Sequence, residues 1–179
     1  MRFGFFGIPT PPSSIETSGS LLLSRKSATF QGMEQSRGLV VFGSTTGTTR
    51  LLAGAVRDGL RRAGLDVVMR NVARMRPQDL RGYPVVVAGC STWENGHLQK
   101  DFQRLRGELG DLRLDGVRAA IFGPGSSSYP LYCKAVDVLE EEFSGRGARL
   151  VLPSFRVDGS AYAVRAAVQS WAEGIKRFL

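Results

Sequence analysis

The sequence is poor in the residues that build cross-linked, metal-bearing or triad-type sites. It has two cysteines, Cys90 and Cys133, and one histidine, His97. These give no disulfide framework, no metal-ligand spacing and no catalytic triad, so we predict no metal and no catalytic residue, and we expect His97 to begin a helix. No apolar run approaches the roughly 18 residues of a membrane span, and Leu21–Leu23 is too short for a signal-peptide core. These shortages favour a cytoplasmic protein without membrane association.

Acidic residues are also scarce, since 16 Asp and Glu stand against 24 Lys and Arg, a net charge of +8. The positive residues are scattered, and no dense basic run or aromatic-interleaved basic strip occurs. This distribution argues against nucleic-acid binding. The basic balance instead predicts a partner with an acidic docking face and an association that weakens as salt rises.

Residues 1–36 lack a sustained hydrophobic period and carry the run PTPPSSIETSGS. Such a segment cannot bury enough apolar area to offset its ordering entropy, so we predict that it is disordered. Three explanations stay open: a true start at Met33, a genuine disordered extension, or a targeting peptide. The folded domain is therefore expected to span residues 37–179.

From Leu39 onward, short apolar runs alternate with helical periods. The predicted strands are Leu39–Phe42, Val67–Val72, Val85–Ala88, Val117–Phe122 and Arg149–Leu152. The predicted helix faces contain Leu52, Val56 and Leu60; Leu98, Phe102, Leu105 and Leu109; Tyr132, Val136, Leu139 and Phe143; and Val164, Val168, Trp171, Ile175 and Phe178. Five continuous, β-branched strands that alternate with helices predict an α/β fold, a doubly wound five-stranded parallel sheet with helices on both faces.

In such a sheet, ligands bind where the carboxyl ends of the strands meet at a topological switch point. This rule directs attention to the segments that follow Phe42, Ala88 and Phe122. All three are unusual in composition, because they are rich in glycine, hydroxyl groups and aromatic residues. We therefore expect the functional site to be built from these three loops.

The first loop, residues 43–49, reads GSTTGTT between a strand and a helix. Helix N-termini present unpaired N–H groups, and hydroxyls add further donors, so the loop predicts an anion cradle. It lacks the lysine of a triphosphate loop and the spacing of a dinucleotide fingerprint. A single phosphate monoester fits it. The alternative is that Thr46 or Thr48 only caps the helix.

The second and third loops, residues 90–97 and 123–133, each offer an exposed aromatic plate. Trp93 lies at the end of a strand, outside the main core, although it could instead pack on a neighbouring helix. Tyr129 offers a second flat face beside backbone donors, whereas Tyr132 falls on an apolar helix face. Together with the first loop, they predict a planar, phosphorylated ligand with polar edges.

At these residues the chain resembles the bacterial flavodoxins. VVFGSTTGTT is similar to the family's phosphate loop, and GCSTWENGHLQKDF and FGPGSSSYPLYCKAVDVLEE are similar to its two flavin-flanking loops. LVLPSFRVDG runs on without the insertion of long-chain members, so the chain resembles the short-chain group. The resemblance covers Leu39 to the C-terminus and implies the strand order 2-1-3-4-5, FMN as cofactor and electron transfer without a substrate of its own.

The resemblance also assigns residues to the cofactor. The phosphate group would be held by Ser44, Thr45, Thr46, Gly47, Thr48 and Thr49. Trp93 would cover the inner face of the flavin and Tyr129 the outer face. The flavin N5 side would be lined by Thr92, Glu94 and Asn95, and the pyrimidine edge would meet the backbone N–H groups of Ser126 and Cys133. The pocket would be completed by Ser91, Gly96, Gly125 and Tyr132.

The implied function is low-potential electron transfer by a monomer between a reductase and acceptor enzymes. Two alternatives stay open: an FMN-dependent reductase that acts on a small molecule, and a non-redox binding module on the same fold. Ser126 departs from the family, because an aspartate is common there. Loss of that carboxylate predicts a less negative potential for the second one-electron reduction of the flavin.

Overall fold

The computed structural model describes residues 36–179, and the predictions of an N-terminal disordered extension and of a start at Met33 concern residues outside that range. The strands are β1 (Arg37–Gly43), β2 (Asp66–Asn71), β3 (Val85–Cys90), β4 (Thr92–Trp93), β5 (His97–Leu98), β6 (Arg118–Gly125), β7 (Arg149–Leu150) and β8 (Phe155–Asp158). The α-helices are α1 (Thr48–Arg62), α2 (Lys100–Glu108), α3 (Lys134–Gly145) and α4 (Arg165–Glu173). Short 3-10 segments cover Val72–Arg74, Pro77–Gly82, Glu94–Gly96 and Gly174–Phe178. None of these helices is long and apolar enough to cross a membrane.

The central sheet is parallel and runs in the order β2-β1-β3-β6, and both β7 and β8 pair with β6 at its outer side. The predicted fold and the strand order 2-1-3-4-5 are confirmed, with the fifth position shared by two short strands. The predicted last strand, Arg149–Leu152, is wrong in its extent, because the strand ends at Leu150 and the next strand begins at Phe155; one further backbone hydrogen bond joins the Val151 N–H to the Ala119 carbonyl oxygen. Pro153 lies in the gap, where a residue without an N–H cannot continue the ladder.

The core consists of two apolar layers, one on each face of the sheet. Leu39 and Val41 of β1 contact the layer covered by α2 and α3, whereas Val40 and Phe42 contact the layer under α1 and α4. Successive side chains of a strand point to opposite faces, so a strand buried on both sides must be apolar throughout. This explains the continuous apolar runs of the sequence.

The carboxyl ends of β1, β3 and β6 lie side by side. Gly43 is paired with Cys90, and Gly89 with Phe122. Parallel strands in register bring the three segments that follow them to one edge of the sheet. The predicted loops therefore share one end of the molecule.

Candidate functional site at the carboxyl ends of the strands

The first loop folds around the hydroxyl group of Ser44. Its Oγ accepts hydrogen bonds from the N–H groups of Gly47, at 3.1 Å, and Arg50, at 3.4 Å. Gly47 precedes α1 with a φ of 97°, a conformation that glycine adopts without steric cost. In the described part of the chain, the side chain that caps this helix start is Ser44. The alternative, in which Thr46 or Thr48 caps the helix, is not seen.

The threonines of this loop differ in exposure. Thr45 and Thr46 are exposed, Thr48 is half-buried and Thr49 is buried. They surround the start of a 15-residue helix, whose first N–H groups have no partner within the helix. Hydroxyl groups and a helix N-terminus at one place can bind an anion by hydrogen bonds.

A buried glutamine, Gln99, ties the first loop to the second, and the sequence analysis missed it. Its Nε2 lies 3.5 Å from Thr45 Oγ1, and its backbone N–H donates to Cys90 Sγ at 3.3 Å. Its Oε1 also accepts from the N–H of Asp101 at the start of α2. Gly43 is packed against this side chain, since a Cβ there would lie 2.6 Å from Gln99 Oε1. The sequence does contain a signal for this role, because Gln99 is a polar residue that directly precedes an amphipathic helix.

The second loop is a small hairpin in which β4 pairs with β5, and Trp93 lies opposite His97. The prediction that His97 begins a helix is wrong, because the helix starts at Lys100. In the turn between the two strands, Asn95 has a φ of 58° and Gly96 a φ of 80°. Positive φ at both central positions is the requirement of a type I′ hairpin turn, and Asn-Gly is its sequence signal.

The second and third loops are joined by one hydrogen bond. Thr92 Oγ1 accepts from the N–H of Ala135 at 3.0 Å, in the first turn of α3. The residue before that helix, Cys133, has a φ of 51° and makes no side-chain cap. The neighbouring loop therefore supplies the cap that α3 lacks from its own sequence.

A cleft of about 560 Å³ lies between these two loops. It is lined by ten of the predicted site residues: Thr92, Trp93, Glu94, Asn95, Gly96, Gly125, Ser126, Tyr129, Tyr132 and Cys133. Pro130 and Leu131 complete the lining. Trp93 is 44% exposed and Tyr129 is 71% exposed, so both rings are accessible instead of being packed into the core. A cleft of this volume with aromatic walls is typical of a small-molecule site.

The predicted phosphate-binding residues do not line this cleft. Thr46, Gly47 and Thr48 line a separate groove of about 580 Å³ at the same end of the sheet. Ser91, which was predicted to belong to the pocket, is half-buried and lines neither space. The structure thus gathers the residues of the second and third loops around one space and leaves the first loop beside it.

A carboxylate that the sequence analysis missed reaches the third loop from the end of β8. Asp158 Oδ1 accepts from the N–H of Ser127 at 3.3 Å. Hydrogen bonds from the Ser127 side chain and backbone hold the pKa of Asp158 below its ordinary value of 3.8. The loop therefore has an acidic partner although Ser126 is not an aspartate.

The two thiols at this end of the sheet are neutral near pH 7. Burial raises the pKa of Cys90 to about 12, and burial also raises the pKa of Cys133 above its ordinary value. Cys133 lines the cleft, with its Sγ 3.5 Å from the carbonyl oxygen of Gly123. Both act as small apolar residues rather than as nucleophiles.

Comparison with known proteins points to one family. The family model described as Flavodoxin matches residues 40–171. The chain is 38% identical over 143 residues to a flavodoxin of Maridesulfovibrio salexigens, covering 78% of this chain and 97% of that protein. It is 40% identical over 137 residues to a flavodoxin of Nitratidesulfovibrio vulgaris, covering 75% and 93%. The crystal structure of oxidised flavodoxin 1 from Bacillus cereus superposes with a TM-score of 0.72 at 29% identity, covering 79% of this chain and 98% of that one.

Proposed function

The chain belongs to the flavodoxin family, whose members bind FMN and carry electrons without being enzymes, and we propose that it shuttles electrons at low potential between a reductase and acceptor enzymes. The observation that carries this proposal is the cleft between Trp93 and Tyr129. Its two accessible aromatic rings stand at the switch-point end of the sheet, beside a hydroxyl-rich loop at a helix N-terminus.

The donor set of the first loop fits the phosphate group of FMN. A phosphate monoester needs several hydrogen-bond donors, and the hydroxyls of residues 44–46, 48 and 49 surround the first turn of α1. Ser44 holds the loop closed around Gly47 through its Oγ. In our proposal, these hydroxyls bind the phosphate without a lysine, and the Gly47 N–H joins them by giving up its hydrogen bond to Ser44 Oγ.

The cleft fits the ring system. Trp93 and Tyr129 would cover its two faces, and the backbone N–H groups of Ser126 and Cys133 would meet its pyrimidine edge. The wall behind that edge is tight, because a Cβ at Gly125 would lie 2.8 Å from Cys133 Sγ. FMN, when bound, supplies the electron exchange itself, and the protein positions the ring and limits its access to water.

We also propose that residues 37–179 form the working unit, as a monomer in the cytoplasm. Both cysteines are free and buried, as suits a reducing compartment. The partners in this proposal are a reductase donor and an acceptor enzyme, each with an acidic docking face. No specific observation favours a flavin-dependent reductase that acts on a small molecule.

Titration of the apoprotein into FMN tests the proposal. We expect the flavin fluorescence to be quenched, and we expect Trp93→Ala and Tyr129→Ala each to weaken binding at least tenfold, because each removes one wall of the cleft. Leu179→Ala is the control, since Leu179 is an exposed apolar residue that lines neither the cleft nor the groove beside the first loop. Unquenched flavin in the presence of excess folded protein would overturn the proposal.

A further inference from the structure

The two helical faces of the sheet carry opposite charge. On one face, α1, α4 and the segment Gly174–Phe178 contain seven Lys and Arg residues and two acidic residues. On the other face, α2 and α3 contain four Lys and Arg residues and six acidic ones. The helical elements of the first face have a net charge of +5 and those of the second face a net charge of −2, and we call the first of these the basic face.

A groove opens on the basic face at the end of the sheet that carries the cleft. Its wall includes Arg50, Arg57 and Arg165, and it has a volume of about 580 Å³. The phosphate-loop residues 46–48 form part of the same wall. A molecule bound in the groove would therefore lie next to the proposed phosphate site.

The cations of the groove outnumber their acidic partners. Asp58 is shared, because Arg57 pairs with it at 2.8 Å and Arg165 at 3.4 Å. Arg50 is exposed, and it has no ion-pair partner among residues 36–179. The groove thus presents an excess of positive charge to solvent.

Exposed apolar groups stand among these charges. Tyr162 is 75% exposed and Leu51 is 47% exposed, and both line the groove. Arginine and tyrosine, with tryptophan, are the residues most enriched at the energetic centres of protein–protein interfaces. Binding to a nucleic acid or to an anionic membrane depends on a dense cluster of cations. The groove has fewer cations than that, and the carboxylate of Asp58 lies among them.

From these observations, and resting on the proposed electron-carrier function, we propose that this groove docks the acidic face of the redox partner. Acidic side chains would pair with Arg50 and Arg165, and an apolar contact would cover Tyr162 and Leu51. Docking there holds the partner beside the cofactor end of the sheet. It also leaves the α2 and α3 face, with its excess of acidic residues, pointing away from an acidic partner.

The test uses the FMN-loaded full chain and a fluorescein-labelled, twelve-residue peptide of glutamate and leucine. The groove variant combines Arg50→Glu with Arg165→Glu. The matched control combines Arg81→Glu with Arg149→Glu, an equal change in net charge at exposed residues near the opposite end of the sheet. Fluorescence anisotropy measures peptide binding at low and high salt. Stopped-flow oxidation of the dithionite-reduced protein by ferricyanide, an anionic oxidant, measures access to the cofactor.

We expect the groove variant to weaken peptide binding at least tenfold and to slow oxidation by ferricyanide at least threefold at low salt. The control should change either quantity less than twofold, and wild-type binding should weaken as salt rises. Equal losses in the two variants would overturn the proposal, since they would show a response to net charge alone. Tighter binding of a 20-base-pair DNA duplex or of phosphatidylglycerol vesicles than of the peptide would also overturn it.

The experiment distinguishes a failure of the proposed electron-carrier function from a failure of the docking site. FMN titration of the same samples reports the cofactor site. Because Arg50 lies next to the first loop, with its N–H on Ser44 Oγ, only protein saturated with FMN enters the peptide and ferricyanide comparisons. A wild-type protein that binds the peptide but leaves FMN unquenched would refute the carrier function while leaving the groove able to bind an acidic chain. A protein that quenches FMN but ignores the peptide would refute the docking site alone.

Discussion

Thr92 and Ala135 are 43 residues apart in sequence, yet the hydroxyl of the first caps the helix that contains the second. The hydrogen bond is 3.0 Å long and joins the hairpin that carries Trp93 to the start of α3. One side chain thereby ties together the two segments that form the cleft, and neither aromatic wall takes part in that hydrogen bond.

Removing this cap should loosen both the fold and the cleft. We expect Thr92→Ala to lower the free energy of unfolding of the apoprotein by about 1 kcal/mol, because an N–H at the start of α3 loses its partner. FMN binding should also weaken. Urea denaturation and FMN titration measure the two effects. Thr92→Ser keeps the hydroxyl and should restore most of both, and a serine variant as weak as the alanine variant would contradict the capping role.

The hairpin turn should reject a side chain at Gly96. Its φ is 80°, and a Cβ would lie 3.1 Å from both Leu131 Cδ1 and Lys134 Cγ. We expect Gly96→Ala to destabilise the protein by about 1–2 kcal/mol in urea denaturation. Gly107 is the matched control, because it lies within α2 with nothing within 4 Å of its Cβ position. Gly107→Ala should stabilise by about 0.5 kcal/mol, and equal signs for the two variants would refute this account.

Lowering the pH should remove the stabilisation that the Asp158 carboxylate gives to the third loop. Folding lowers the pKa of this carboxyl group, so its stabilising contribution is complete above the ordinary value of 3.8 and is lost as the pH falls through the lower folded value. Asp158→Asn removes that dependence. We expect the wild-type protein to bind FMN more tightly than the variant at pH 6, and we expect this gap in FMN affinity to narrow toward pH 2.5. FMN fluorescence titration over this range measures the gap, and a gap independent of pH would contradict the assignment.

A carboxylate introduced into the third loop should shift the reduction potential of the flavin. One charge about 8 Å away at an effective dielectric near 20 is worth about 2 kcal/mol, or about 90 mV for one electron. We expect Ser126→Asp to make the second one-electron reduction of FMN harder by up to that amount. Spectroscopic redox titration measures the potential. Ser144→Asp, at the far end of α3, is the control with the same charge, and equal shifts in both variants would argue against a local effect.

Cys90 should resist alkylation in the folded protein. Its pKa of about 12 leaves almost no thiolate at pH 8, and its side chain is fully buried. We expect iodoacetamide to label Cys90 only after denaturation, as read by mass spectrometry of its peptide. A Cys90 labelling rate in the native protein equal to that in urea would show that β3 opens at its carboxyl end.

The sequence was sufficient for the fold because the fold depends on patterns that are local. Continuous apolar runs such as Val85–Ala88 mark strands buried on both faces, and 3.6-residue periods mark the helices, so the alternation predicted the parallel sheet. The helix faces were wrong at two starts, because Leu98 lies in β5 and Tyr132 precedes α3. The strand β8 escaped notice because Pro153 interrupts the edge strand, and the pairing of Phe155 with Phe122 is long-range. Local composition does not encode such a pairing.

The site was predicted in part for the same reason. The loops were recognised by their own residues, and ten of those residues line one cleft. Gln99, Asp158 and the capping role of Thr92 were missed because each acts on a segment that is distant in sequence. The hairpin could have been found, since Asn95-Gly96 is a local turn signal.

Pro153 has one more effect, on what the protein does in a crowded solution. Exposed edge strands of a sheet can pair with strands of other molecules, and many aggregates begin in this way. Here the edge consists of two short strands, of two and four residues, with Pro153 between them. The carbonyl oxygen of Pro153 already accepts a hydrogen bond from Trp171 Nε1 at 2.7 Å. A foreign strand would find no continuous ladder to extend, so this side of the sheet is guarded against misassembly by the same residue that splits it.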